Sequence, residues 1–201
     1  MPKIVNHEER REQLAKAVWR IIRREGLEGV SVRRVAEEAG MSLGSLRHYF
    51  DSQSALLAFS MRLVSERIKK RVQSLPLDGD LRENIETLIG QIVPLDEERL
   101  AESQIWIAFS TFALTEPGLR PLSQEIHDSL REMFRKIIDS LAQSKLLKPG
   151  LDTELEAKRF HALVDGLLVH GVIAPEAMRA EEIAGIIARH LDSLLVQQRG
   201  A

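Results

Sequence analysis

Val30-Ser31-Val32-Arg33-Arg34-Val35-Ala36-Glu37-Glu38-Ala39-Gly40-Met41-Ser42-Leu43-Gly44-Ser45-Leu46-Arg47-His48-Tyr49-Phe50-Asp51-Ser52 reads as two short helices joined by a tight turn. Ser31 is of the type that caps a helix, and the short helix it opens, Val32 to Ala39, turns Val35 and Ala36 inward. Gly40 supplies the left-handed backbone that stops it, and Ser42 restarts the chain as another short helix. Two such helices separated by Ala39-Gly40-Met41, with a helix before them, have the layout of a helix-turn-helix. Leu46 and Phe50 hold the inner side of the later helix. Ser42, Ser45, Arg47, His48 and Tyr49 give its outer side a polar surface able to hydrogen-bond in a major groove. From spacing alone, the competing reading is a plain helical hairpin with solvated arginines.

Outward from this stretch the chain reads as helix almost throughout. Leu14, Ala17, Val18, Ile21 and Ile22 form one apolar stripe, with Asn6 and Glu9 as a capping box and Gly26 at the end. Asp51 or Ser52 caps a fourth helix through Leu56, Leu57, Met61, Val64 and Ile68. Leu75-Pro76-Leu77-Asp78-Gly79 breaks it and is a candidate boundary. Leu81, Ile85, Leu88, Ile89 and Ile92 mark the next helix, stopping near Pro94, and another runs from Glu97 to Thr115. A long helix begins near Pro121 and carries Ile126 to Leu141. Thr153 with Glu156 opens one that reaches Gly171, and the last follows Pro175 with Ile183, Ile187, Leu191 and Leu194 on its apolar face. No strand or repeat is evident, so the fold class is all-α.

The 201 residues are 44% hydrophobic, 29% charged and 4% aromatic, which excludes disordered and fibrous classes and favours aliphatic helices. There is no cysteine, hence no disulfide framework, thiol nucleophile or thiolate zinc site, as suits a cytoplasmic protein. Charges crowd the N-terminus where a secretory signal needs an apolar run. The uncharged stretch Ser103 to Thr115 is shorter than the roughly 20 residues of a membrane span and reads as a buried core helix. Met1 to Leu75 holds 15 Lys and Arg against 9 Asp and Glu, whereas the remainder holds 13 against 21. A basic first third joined to an acidic remainder suggests that the N-terminal part meets a polyanion.

The quoted stretch, with its Tyr-Phe-x-Ser step into helix four, closely resembles the DNA-binding domain of the TetR family of bacterial transcriptional regulators, over about Arg10 to Leu57. Trp106 to Leu122 and Ala162 to Leu195 resemble the regulatory half of the branch that includes the betaine-type regulators. The resemblance implies a helix-turn-helix domain over residues 1–51 and a larger helical ligand-binding and dimerisation domain over 52–201. It further implies a homodimer formed through the two C-terminal helices, a palindromic operator in double-stranded DNA, and a small-molecule effector that relieves repression. Carried over, Ser31 contacts a phosphate, Arg33 and Arg34 add charge near the backbone, and Ser52 stands at the entry to helix four. Ser42, Leu43, Gly44, Ser45 and Arg47 read bases, with His48 and Tyr49 on sugar-phosphate. Gln53 departs from the lysine often found there, which removes one cation from the phosphate contact.

In the regulatory half, Trp106, Phe109 and Phe134 are candidates for an aromatic ligand site. Asp165 is a candidate partner for a cationic effector, or else pairs with an arginine such as Arg159. His161 and His170 project from nearly opposite sides of one helix, so no metal site or cofactor is expected. No nucleophile–base pair or phosphate-binding glycine loop points to an enzyme. The expected function is a ligand-responsive DNA-binding repressor; the alternative is an architectural DNA binder without an effector.

Overall fold

Leu14, Ala17, Val18, Ile21 and Ile22 are all buried on α1 (His7–Glu25), as their spacing requires. The computed structural model describes residues 7–196, so the Asn6 cap and the Gln53 side chain lie outside the described residues. Gly26 ends α1 at φ 71°, a conformation open to glycine, and a 3-10 turn, Leu27–Gly29, leads to α2 (Val32–Glu38). Gly40, at φ 63°, reverses the chain into α3 (Leu43–Arg47). Of the two candidate caps for α4 (Gln53–Gln73), Ser52 does the work: its Oγ accepts from the Ala55 N–H at 3.1 Å.

The chain divides into two compact units, residues 1–67 with 104–120, and residues 68–103 with 121–201. In the first, Val35, Ala36, Leu46 and Phe50 close the core over α1, and the rings of Phe50 and Phe59 meet at 5.0 Å. The Arg67 guanidinium lies 4.3 Å from the Trp19 ring, within cation–π range.

The second unit contains α5 (Leu81–Ile89), the start of α6 (Glu97–Thr115), most of α7 (Arg120–Gln143), α8 (Thr153–Ile173) and α9 (Ala180–Leu194). Its core joins Ile85 and Ile89 of α5 to Phe134, Ile137, Ile138 and Leu141 of α7, Phe160, Val164 and Leu167 of α8, and Ile183, Ile187, Leu191 and Leu194 of α9. Arg71, in the last turn of α4, makes two bonds to Glu102 (2.7 and 2.5 Å) and a third to the Gln91 carbonyl (3.0 Å). That bidentate fork fixes the end of α4 by direction as well as by charge.

Four local expectations are corrected. Asp152, one residue before Thr153, caps α8 by accepting from the N–H groups of Glu154 (3.0 Å) and Leu155 (3.1 Å); a carboxylate there also meets the positive end of the helix dipole. α5 ends at Ile89, where Gly90 is its C-cap, leaving Ile92 in the following turn. The apolar run in α6 is not wholly core, since Ile105 and Phe109 are buried but Phe112 is 44% and Leu114 76% exposed. Arg159 pairs with Glu156 at 3.1 Å rather than with Asp165. Among the described residues the only extended pairing is an isolated bridge between Leu147 and Leu195, and no helix is long and apolar enough to cross a membrane.

Candidate nucleic-acid interface

The α2–turn–α3 segment sorts its side chains as a DNA reader requires. Leu46 and Phe50 are buried, whereas Ser42, Leu43, Gly44, Ser45, Arg47 and His48 are exposed and Tyr49 is half-buried. Ser42 Oγ accepts from the Ser45 N–H at 3.1 Å and lies 3.0 Å from Ser45 Oγ. The two hydroxyls thereby brace the first turn of α3. A Cβ on Gly44 would meet nothing within 4 Å, so the protein's own packing does not explain the glycine; its bare backbone leaves room for a close approach from outside.

On α2, Ser31 Oγ accepts from the Arg34 N–H at 3.2 Å and caps the helix. Its hydroxyl hydrogen remains a donor for a phosphate oxygen. The arginines differ from one another. Arg33 is 83% exposed and spans one turn to Glu37 at 3.1 Å. Arg34 bonds both oxygens of Glu25, at 2.7 and 3.2 Å, and reaches Glu37 at 3.4 Å. Arg20 and Arg24 hold Glu38 at 2.6 and 3.0 Å. Hydrogen bonds from Arg34 and then Arg24 pull the Glu25 carboxyl down to about 2, and those from Arg20 and then Arg24 keep Glu38 low. Arg47, by contrast, is exposed and engaged by no other described residue. The acids that neutralise α2 were not recognised in the sequence. Glu37 at i+4 from Arg33 is a readable signal, but Glu25 meets Arg34 only because the 3-10 turn folds one helix end onto the next.

The four residues expected around a ligand fall in different places. Trp106, half-buried, and Phe109, fully buried, belong to the first unit. Phe134 and Asp165 belong to the second, where Phe134 is 1% exposed within the core and the Asp165 carboxylate lies 3.5 Å from His161 Nε2. A groove of about 440 Å³ between α5 and α7, lined mainly by Leu77, Leu81, Leu88, Met133 and Ile137, includes none of the four.

Two family models match the chain: bacterial regulatory proteins of the tetR family over residues 14–67, and the C-terminal domain of BetI-type transcriptional repressors over residues 81–196. The chain is 39% identical to the HTH-type transcriptional regulator PksA of Bacillus subtilis, over 98% of this chain and 95% of that one. It is 31% identical to the HTH-type transcriptional regulator BetI of Vibrio campbellii, over 97% and 96%. A solved transcriptional regulator from Rhodococcus sp. RHA1 superposes with a TM-score of 0.77 at 27% identity, covering 92% of this chain and 95% of that one. A regulator from Saccharomonospora viridis, solved in complex with choline, shares the fold with a TM-score of 0.80 at 20% identity, covering 95% of this chain and all of the other. With a helix-turn-helix whose α3 outer face is largely exposed and a helical second unit, the chain belongs to the TetR family of transcriptional regulators.

Proposed function

We propose that this regulator is a cytoplasmic homodimeric repressor, bound to a palindromic operator and released by a small-molecule effector. The observation that carries the DNA half is the sorting of α3, with two apolar anchors beneath and an open outer face ending in Arg47. In this reading Ser42, Leu43, Gly44, Ser45 and Arg47 meet base edges, while Ser31, Arg33, Arg34, His48, Tyr49 and Ser52 hold sugar-phosphate. The reader domain is residues 1–51, and residues 52–201 bind ligand and dimerise.

The dimer reading rests on α8 and α9. Leu155, Ala162, Gly166, Val169 and Ile173 repeat along one stripe of α8, and Leu155 and Ile173 are 59% and 72% exposed. A Cβ on Gly166 or on Gly185 of α9 would meet nothing within 4 Å, so this chain does not cover either position. Two-fold pairing there covers the stripe and supplies the two readers, about 34–36 Å apart, that successive major grooves demand. For the effector, the neighbour solved in complex with choline favours a small organic cation. Of the side chains read as ligand contacts, Trp106 and Phe109 belong to the first unit and Phe134 and Asp165 to the second, and Asp165, half-exposed, is the carboxylate proposed to meet the cation.

Selection from a randomised duplex pool, followed by affinity measurement at two salt concentrations, tests the reading. An enriched palindrome bound at least a thousandfold more tightly than scrambled DNA is expected, and choline is the first probe for its release. Salt-steep binding to every duplex without enrichment overturns it in favour of an architectural binder.

A further inference from the structure

The groove between α5 and α7 lies wholly within the second unit and apart from the side chains assigned to the effector. Its floor is apolar, with Leu81, Ile85 and Leu88 from α5, Met133 and Ile137 from α7, and Leu77 from the turn before α5. Ile85 and Ile137 are buried, but Leu81, Leu88 and Met133 are only half-buried and Leu77 is 50% exposed. A band of aliphatic surface is thus left uncovered by the chain's own packing. Among the described residues no aromatic side chain lines it, so a flat aromatic molecule finds no ring to stack on and a flexible aliphatic one fits better. Size narrows the occupant further. One helical turn with its side chains fills about 400 Å³, so a groove of about 440 Å³ is too short for an amphipathic helix anchored at i, i+4 and i+7. It is the size of a small-molecule site.

The rim selects the head group. Glu132 and Lys136 are the charged residues among those lining the groove. Arg135 donates to both oxygens of Glu132, at 2.7 and 2.8 Å, so a ligand cation would have to displace a bidentate arginine. Lys136 is held far more loosely. Its side chain is 70% exposed and its Nζ lies 3.6 Å from Glu132 Oε1, beyond hydrogen-bond length. It can turn to another anion at the small cost of an exposed ion pair.

We propose that this groove binds an amphiphilic carboxylate, with a medium-length aliphatic chain on the floor and the anionic head on Lys136. The stretch of α7 from Ser129 to Ser140 that borders it is about 16 Å long, room for an extended chain of about ten carbons. The site is distinct from the one assigned to a cationic effector and has the opposite charge preference.

The test titrates the full-length protein by calorimetry with saturated carboxylates of rising length, below their micelle concentrations, with decanol and decyltrimethylammonium as head-group controls. One decanoate per chain is expected, bound at least tenfold more tightly than either control, with affinity rising about threefold per added methylene until the groove is full. Lys136→Gln should lose the preference for carboxylate and Lys136→Arg should keep it. Leu77→Asp, in an exposed turn whose replacement leaves the core intact, should weaken decanoate at least tenfold. Equal affinity for decanoate and decyltrimethylammonium, or unchanged decanoate affinity in Lys136→Gln, overturns the proposal. So does a wild type that binds no decanoate; if Leu77→Asp then lowers the oligomeric state in sedimentation, the groove is an interface between copies of this chain. Asp165→Asn should leave decanoate binding unchanged, which separates a failure here from a failure of the cationic-effector reading.

Discussion

Arg47 and Arg33 both point to solvent, but they separate two tasks that arginine performs on DNA. Arg47, exposed at the end of α3 and engaged by no other described residue, is suited to a base edge, so Arg47→Ala should cost about 1–3 kcal/mol on the selected operator and little on scrambled duplex. Among the described residues, Arg33 has an exposed ion pair with Glu37 to give up, worth about 0–1 kcal/mol. Arg33→Ala should weaken all duplexes alike and reduce the slope of log affinity against log salt by about 0.9; affinities on both DNAs at two salt concentrations check the pair. Burial, and secondarily the charge of Arg159, lowers His190 from 6.5 to about 4. Above pH 6.5 both folded and unfolded chains hold it neutral. As the pH falls below 6.5, the unfolded chain takes a proton that the fold refuses, so stability drops until about pH 4, by on the order of 1–3 kcal/mol. Denaturant melts across this window should show a shallower decline for His190→Gln than for wild type.

Helix by helix, periodicity carried most of the fold into the sequence, and packing between helices carried what it could not express. The α3 pattern was legible because a 3.6-residue repeat puts Leu46 and Phe50 on one side and Arg47 on the other. The Arg34–Glu25 bond and the His127–His161 approach were not, because each joins different helices whose angle no local spacing encodes. The α8 cap fell one residue from its expected place because Asp152 and Thr153 are both cap formers, and only the backbone geometry chooses between them. Of the candidate site, the exposure of Ser42, Ser45, Arg47 and His48 on α3 was readable, with Tyr49 half-buried, and so was the Arg33–Glu37 spacing, whereas the Arg34–Glu25 pair and the hold of Arg20 and Arg24 on Glu38 emerged only from the fold. A Cβ on Gly171 of α8 would lie 2.6 Å from Pro94 Cγ and 3.2 Å from Ile183 Cδ1. Neither a proline ring nor a core isoleucine gives way freely, so Gly171→Ala should destabilise by about 1–3 kcal/mol, despite alanine's better helix propensity. Urea unfolding measures it, and an unchanged or raised midpoint would show that α8 tolerates the displacement.

Whether the chain acts alone or in pairs decides what a side chain at Gly166 would meet. Gly166 lies five residues before Gly171 on α8, yet a Cβ there meets open space. Within one chain, therefore, any side chain fits, and replacing glycine in a helix interior adds up to about 1 kcal/mol of helix stability. Gly166→Arg should fold as well as wild type, with the same helical signal and an equal or higher melting temperature. A second chain changes the outcome, because an arginine from each subunit would meet its symmetry mate at the two-fold seam, where like charge and bulk both oppose the close approach that glycine permits. Sedimentation should then show monomers for Gly166→Arg at concentrations where wild type is dimeric. Losing the physical link between two readers removes the effective concentration that makes the second half-site easy to occupy, so operator affinity should fall at least a hundredfold while binding to an isolated half-site stays the same. If Gly166→Arg remained dimeric and kept full operator affinity, the α8 stripe would not be the dimer face, and the two-fold operator would need another pair of surfaces to hold its readers.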